Sequence, residues 1–428
     1  MKALRRHFGR MGGLGRNAKL FLLMTAVSGL GSGIFRLFLN LFVLARGNDE
    51  AFLGALMSLE SLAALGLGIP MGILADRVGR KPSLLLGLLL WIIGVLVVVL
   101  SPLDWPLLAA AVVWGGGDAI YMATGPAFMA ENAAPDKRAT LFSTRMGLMM
   151  LVGFIGSLIG GPMPGWFGTL LNQPAESAPA YRATLLLATG VMTLSLIPLL
   201  MLRERGDTGG PADAGTGLSL RSLLTRRDVW RLLLPQVVIG LGAGLLIPYL
   251  NVFFKQRFGI SDSLLGFAFG VSQLGTGLAT MLAPIAAERW GNIRTIAGSQ
   301  LASLPFLLTL GFVPVLPVAV GAFWVRATLM NMGGPLYTAF AMEQAEEQDR
   351  GKLGAMLGLT WSVGRGIGPG ISGVVQRSFG FPPLFLATGA TYLLASLMLQ
   401  GFFGRAEQSC PSGALRRTSE VGGSCGEG

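Results

Sequence analysis

Long apolar stretches alternate with short polar breaks along this chain, and each stretch is about as long as a bilayer requires of a spanning helix. Read by apolar length and turn residues, the pattern predicts helices near 18–45, 51–75, 82–102, 106–130, 140–163 and 182–202. Six more follow near 230–254, 263–287, 293–313, 316–341, 352–376 and 381–404. The pattern fails between Arg203 and Arg227, where Gly-Asp-Thr-Gly-Gly-Pro reads as a linker. It fails again after Arg405, where a Ser/Gly-rich tail has too little apolar content to fold alone. The expected fold class is therefore an all-α membrane protein of twelve transmembrane helices in two six-helix halves. Its parts are a basic N-terminus (1–17), a first half (18–202), a linker (203–229), a second half (230–404) and a disordered tail (405–428).

The halves repeat each other at an offset of about 212 residues. Gly29-Leu-Gly-Ser-Gly33 and Asn40-Leu-Phe42 in the first span return as Gly240-Leu-Gly-Ala-Gly244 and Asn251-Val-Phe253 in the seventh. Ala75-Asp76-Arg77-Val-Gly79 returns as Ala287-Glu288-Arg289-Trp-Gly291, and Glu131 corresponds to Glu343. Parallel repeats related by an axis along the membrane normal are one mark of secondary transporters, whose substrate sites lie where the repeats meet.

Composition narrows the function classes. Only 13% of residues are charged and 52% are hydrophobic, against roughly 25% charged in soluble domains, which excludes a soluble enzyme. The net charge of +11 raises the question of a nucleic-acid partner, but its distribution answers it. Of 33 Lys and Arg, 24 fall at the termini and on one set of loops and five on the opposite set, while Arg36, Arg145, Arg326 and Arg365 lie within spans. The positive-inside rule then puts both termini and the linker in the cytoplasm of a plasma or inner membrane. The basic residues set topology and touch anionic lipid heads, and no nucleic acid is expected. Cys410 and Cys425 stand in the tail and His7 in the N-terminus, so no metal, cofactor or catalytic triad is expected.

The loop between spans 2 and 3 reads Gly72-Ile-Leu-Ala-Asp76-Arg77-Val-Gly79-Arg80-Lys81-Pro-Ser-Leu84. This resembles the loop 2–3 signature of the major facilitator superfamily at every position, with a weaker copy at Glu288, Arg289 and Gly291. The resemblance covers roughly residues 18–404 and implies two halves rocking about a central cavity lined by spans 1, 4, 7 and 10. It also implies that Asp76 acts as a gating latch, with Arg77, Arg80 and Lys81 adding ion pairs. From the residues themselves, Gly79 permits a tight reversal, and Gly68 and Gly72 offer a smooth face for another helix. Two features depart from the family's drug/proton antiporters. The fifth span has Gly156 and Gly161-Pro162 spaced one residue too far apart, and Trp114-Gly-Gly-Gly-Asp118 stands where that subgroup has an arginine.

Charges near the bilayer centre are costly, about 2.5–3.5 kcal/mol each on insertion scales, and so are functional candidates. Counting from the loop near Asn48, Arg36 and Glu60 lie equally deep, about 18 Å from the boundary, and Asp118 reaches the same level in span 4. Arg326 and Arg365 reach it in spans 10 and 11. With helical neighbours, the candidate substrate or proton-coupling residues are Arg36, Asn40, Glu60, Asp118, Tyr121, Arg326, Tyr337 and Arg365. Arg36 and Glu60 are also placed to neutralise each other as a structural pair. Gly115 to Gly117 suggest open space beside Asp118, and Arg145 is positioned to snorkel or to pair with Asp76. Glu131 and Glu343 read as gating or solvated end charges. The steps Gly161-Pro162 and Gly368-Pro369 read as bend points.

The expectation is a secondary active transporter, not an enzyme, moving a small organic solute by alternating access as a monomer. Glu60 and Asp118 supply proton coupling, since a buried carboxyl can take up a proton near neutral pH. Three midplane arginines against two carboxylates favour an anionic or zwitterionic solute. The alternatives are a multidrug/proton antiporter for amphipathic or cationic compounds, and a non-transporting receptor with the same fold.

Overall fold

The computed structural model describes residues 14–203, 226–345 and 349–409. The basic N-terminus with His7, most of the linker, and the end of the tail with Cys410 and Cys425 lie outside the described residues. Among the described residues the chain is nearly all helical and forms twelve long helical segments. Ten of them are long and apolar enough to cross a membrane. The other two, Leu316–Glu343 and Arg350–Phe379, carry Arg326 and Arg365 and are 28 and 30 residues long.

Span 1 is Arg16–Ala45, span 2 is Glu50–Val78, span 3 is Arg80–Leu100 and span 4 is Trp105–Glu131. Span 5 runs Pro135–Gly160 and, after a break, Met163–Leu171; span 6 is Ala178–Leu194 with a short continuation Leu196–Leu200. Span 7 comprises Arg227–Leu246, a tighter turn Ile247–Tyr249 and Leu250–Phe258. Spans 8 to 12 are Asp262–Trp290, Asn292–Phe312, Leu316–Glu343, Arg350–Phe379 and Pro382–Ser409.

Local chemistry accounts for the ends. The Asp49 carboxylate caps span 2 by accepting from the Phe52 amide at 2.8 Å, and the Ser177 hydroxyl caps span 6. Gly161-Pro162 breaks the fifth span, as expected of a proline that lacks an amide donor. The helix resumes beyond it until Asn172, which ends it in a left-handed conformation (φ 53°). Span 5 therefore extends past its expected end at 163. The Gly368-Pro369 step, by contrast, lies inside a continuous helix. Gly79 and Gly291 both take positive φ, 99° and 90°, at the same point of the two repeats. A side chain there would be strained, which is why both copies of the loop keep glycine.

The chain forms two compact units. The first comprises residues 1–214, 247–274 and 369–378; the second comprises 215–246, 275–368 and 379–428. In the first, span 4 packs against spans 2 and 3, and span 1 against spans 5 and 6. In the second, span 9 packs against spans 10 and 12, and span 7 against span 12. Lipid and protein interior are equally apolar, so close packing between small residues does much of the work of joining the helices. A Cβ on Gly266 would lie 2.3 Å from the Ser157 carbonyl oxygen, and one on Gly156 would lie 2.6 Å from that of Leu30. In the second unit Gly364 and Gly368 abut the backbone of span 7 in the same way. Gly68 has nothing within 4 Å and Gly72 meets only Ala123 at 3.9 Å, so the smooth face expected there packs no helix closely.

Candidate functional site

Asp118 and Glu60 come together because spans 2 and 4 approach without an intervening side chain. A Cβ on Gly115 would lie 2.3 Å from the Glu60 carbonyl oxygen, and one on Gly117 would lie 2.6 Å from that of Gly87 in span 3. The three glycines therefore do not leave open space beside Asp118, as their size alone suggested. Gly115 and Gly117 are taken up by the backbones of two neighbouring helices and Gly116 faces the end of the Leu67 side chain, and the backbone contact with span 2 brings Glu60 up to span 4. Asp118 stands near enough to the Glu60 carboxyl, to the Trp114 indole one turn before it and to the Arg36 guanidinium for each of them to act on its charge. Ser61 donates to the other side of Glu60 at 2.9 Å. Glu60 and Asp118 are half-buried, and Arg36 is exposed on span 1.

Trp114 was not singled out from the sequence, although its position four residues before Asp118 puts both on one helical face. Its ring sits edge-on to Phe35 at 5.4 Å and to Trp91 at 6.2 Å, and Phe35 meets Trp91 at 5.0 Å. This aromatic cluster fixes the indole that faces the carboxyl.

Within the first unit, Asn40 and Tyr121 have partners outside this cluster. Asn40 is buried, and its amide donates to the Pro248 carbonyl at 2.6 Å and to the Asn251 side chain at 3.0 Å. Asn251 returns a bond to the Leu37 carbonyl at 2.8 Å. The two repeat-related asparagines thus bind each other's helices, and Asn40 is a packing residue because its donors already have partners. Asn251→Leu is expected to destabilise the protein by about 1–3 kcal/mol by stranding the Asn40 amide. The measure is thermal unfolding in detergent, and the double variant with Asn40→Leu should recover part of the loss.

Tyr337 is buried too and donates to the Leu232 carbonyl, which ties span 10 to span 7 inside the second unit. Tyr121 accepts from Arg145 at 3.4 Å, with the guanidinium 5.7 Å from its ring centroid. Arg145 therefore neither snorkels nor pairs with Asp76, because a closer partner stands on span 4. In the second unit Arg365 is exposed on span 11, where the backbone abuts Gly244. Arg326 is buried at 3% exposure and donates to the Tyr392 hydroxyl at 2.9 Å.

The loop motif forms a charge network of its own. Arg80 donates to Asp76 at 2.6 Å and to Glu131 at 3.0 Å, so Glu131, itself exposed at the end of span 4, is a partner of the motif. Lys81 reaches the Leu200 carbonyl at 2.9 Å and caps the end of span 6, while Arg77 is exposed. In the second copy Glu288 and Arg289 are exposed, and the Arg289 guanidinium stacks near the Trp290 ring. The sequence also gave no warning of Lys255, which lies between Glu176 and Asp262 at 2.7 Å from each.

The model of the Major Facilitator Superfamily matches this chain twice, over residues 21–258 and 232–412. The chain belongs to that superfamily. It is a multi-span secondary active transporter that moves a small solute by alternating access, and not an enzyme. A methylenomycin A resistance protein of Streptomyces coelicolor is 27% identical over 411 residues, covering 83% of this chain and 84% of the relative. A class B tetracycline resistance protein of Escherichia coli is 24% identical, covering 84% and 88%. Among solved structures, a mutant of the nucleoside transporter NupG superposes with a TM-score of 0.75 at 15% identity, covering 90% of this chain and all of that one. The superposition shows that this chain and that transporter share a fold.

Proposed function

We propose that this transporter couples solute movement to protons through the carboxyl pair Glu60–Asp118, with Arg36 balancing the charge. The observation that carries this reading is that the Glu60 carboxyl and the Arg36 guanidinium both stand near enough to Asp118 to act on its charge, where a Cβ on Gly115 would meet the Glu60 backbone at 2.3 Å. With one proton held on the pair, a single negative charge remains, and Arg36 neutralises it. Loss of that proton leaves two negative charges against one positive charge, and that imbalance is the driving element of coupling. Tyr121 and Arg365 remain candidate substrate contacts, and Asp76 remains the candidate latch of the loop motif.

The solute is a small organic molecule, anionic or zwitterionic. Export of amphipathic or cationic compounds is a second reading, favoured by the resistance names of the two bacterial relatives. In this reading the protein is a monomer in a plasma or inner membrane, and the distribution of basic residues supports a topology with both termini in the cytoplasm.

The test is reconstitution into liposomes that enclose a pH-sensitive dye, followed by addition of candidate solutes. The transported solute moves protons with the wild type, while Glu60→Gln/Asp118→Asn exchanges solute without moving protons. Proton movement undiminished in the double variant overturns the assignment.

A further inference from the structure

Arg326 stands apart from Arg36 and Arg145. Arg36 lies near enough to Asp118 to act on its charge, and Arg145 has the Tyr121 hydroxyl. Arg326 is almost completely buried, and no acidic side chain pairs with it among the described residues. One of its nitrogens donates to the Tyr392 hydroxyl at 2.9 Å, and the guanidinium lies 5.6 Å from the centre of the same ring. Its Nε–H is buried and has no acceptor. Tyr392 uses its oxygen to receive the arginine, so the phenol's own proton is free to be donated. Two donors are therefore held side by side with nothing negative between them.

The fold does not ask for a cation at this place. At the offset that aligns Glu131 with Glu343, Arg326 corresponds to Trp114. The first unit fills that position with an indole packed against Phe35 and Trp91. A ring meets the packing need of the same helix in the same fold, so the charge at 326 is not required to hold span 10 in place. An uncompensated charge inside a membrane bundle is expensive, and such residues pair or mark ligand sites.

We infer that Arg326 and Tyr392 form an oxyanion subsite in the second unit, which takes the carboxylate or an equivalent group of the transported solute. A guanidinium edge and a phenol hydroxyl suit a planar two-oxygen acceptor, since charge-assisted bonds from two donors fix both its position and its orientation. This deepens the proposed function by naming the substrate class, and it rests on the transporter reading but not on proton coupling.

The experiment measures thermal stability of the purified protein in detergent, with no gradient present. Acetate, succinate and benzoate are compared with acetamide, succinamide and benzamide, and chloride and sulfate are titrated separately. The expected result is that at least one carboxylate raises the Tm of the wild type while its amide does not. The shift is lost in Arg326→Met, and affinity falls about tenfold or more in Arg326→Lys, which keeps the charge but loses the planar fork. Tyr392→Phe weakens binding and leaves the charge in place.

Stabilisation by chloride or sulfate alone, dependent on Arg326, overturns the assignment to the solute's carboxylate and identifies a resident inorganic ion as the occupant. Equal shifts in wild type and Arg326→Met, or no anion shift at all, overturn the inference. Arg326→Lys keeps the test meaningful if the methionine variant fails to fold. Because binding is read without a gradient, failure of this subsite is distinct from failure of proton coupling, which the Glu60/Asp118 variant tests.

Discussion

Gly115→Val is expected to abolish solute-driven proton movement and to lower the melting temperature of the protein. The added Cβ falls 2.3 Å from the Glu60 carbonyl oxygen and 3.0 Å from the Ala63 methyl, and neither atom belongs to a flexible side chain. The clash can be relieved only by moving span 2 away from span 4. Overpacking of this kind costs about 1–3 kcal/mol, and more where backbone must shift. The same movement separates Glu60 from Asp118, so the functional loss should exceed what the stability loss explains. Gly147→Ala is the control, because nothing lies within 4 Å of that position. Gly116→Ala should be intermediate, since its nearest neighbour is the end of the Leu67 side chain at 3.3 Å. Proton movement in liposomes and thermal unfolding in detergent provide the two readouts. A Gly115→Val protein that moves protons normally would show that the close approach of spans 2 and 4 does not set the carboxyl pair.

The contrast between Gly115 and Gly68 indicates what sequence could and could not reveal. Residues can be counted from the loops at a fixed rise, which put Arg36, Glu60 and Asp118 at one depth in the sequence reading, and the first two stand near enough to Asp118 to act on its charge. Rotation about the helix axis was not legible. In a soluble helix the polar face marks the outside, whereas in a bilayer the lipid-facing and protein-facing sides are both apolar, and periodicity loses its meaning. Asn40 and Tyr337 therefore looked like cavity residues, although their donors point at the backbone of neighbouring helices. The glycines suffered the same ambiguity, since a missing side chain can leave space or let a helix approach. The repeat was more informative than any single motif. It placed Asn40 and Asn251, and Gly79 and Gly291, in matching positions, and the structure uses each pair for the same purpose.

Lys255→Met should destabilise the protein by about 3–5 kcal/mol, the usual cost of removing one partner from a buried ion pair. The Lys255 side chain is only 9% exposed and that of Asp262 only 5%, with 2.7 Å between them. Tyr181 donates to the same carboxylate oxygen at 3.2 Å, while the other oxygen of Asp262 is buried without a partner. Loss of the ammonium leaves a buried carboxylate with one phenol to stabilise it. Adding Asp262→Asn should restore most of the lost stability, because the amide oxygen still accepts from Tyr181 and no charge remains. Glu176→Gln should have little effect on its own, since that carboxylate is 63% exposed and water can replace the lysine. Melting temperature should rise from the single variant through the double variant to the wild type. If Lys255→Met melts with the wild type, the Asp262 carboxyl is not a charge that depends on the lysine. The position of Lys255, at the end of span 7 and against both the start of span 8 and the loop before span 6, explains why the effect should be large. One ammonium joins three elements of the first unit, and no second cation is near enough in sequence to replace it except Arg257, which is exposed.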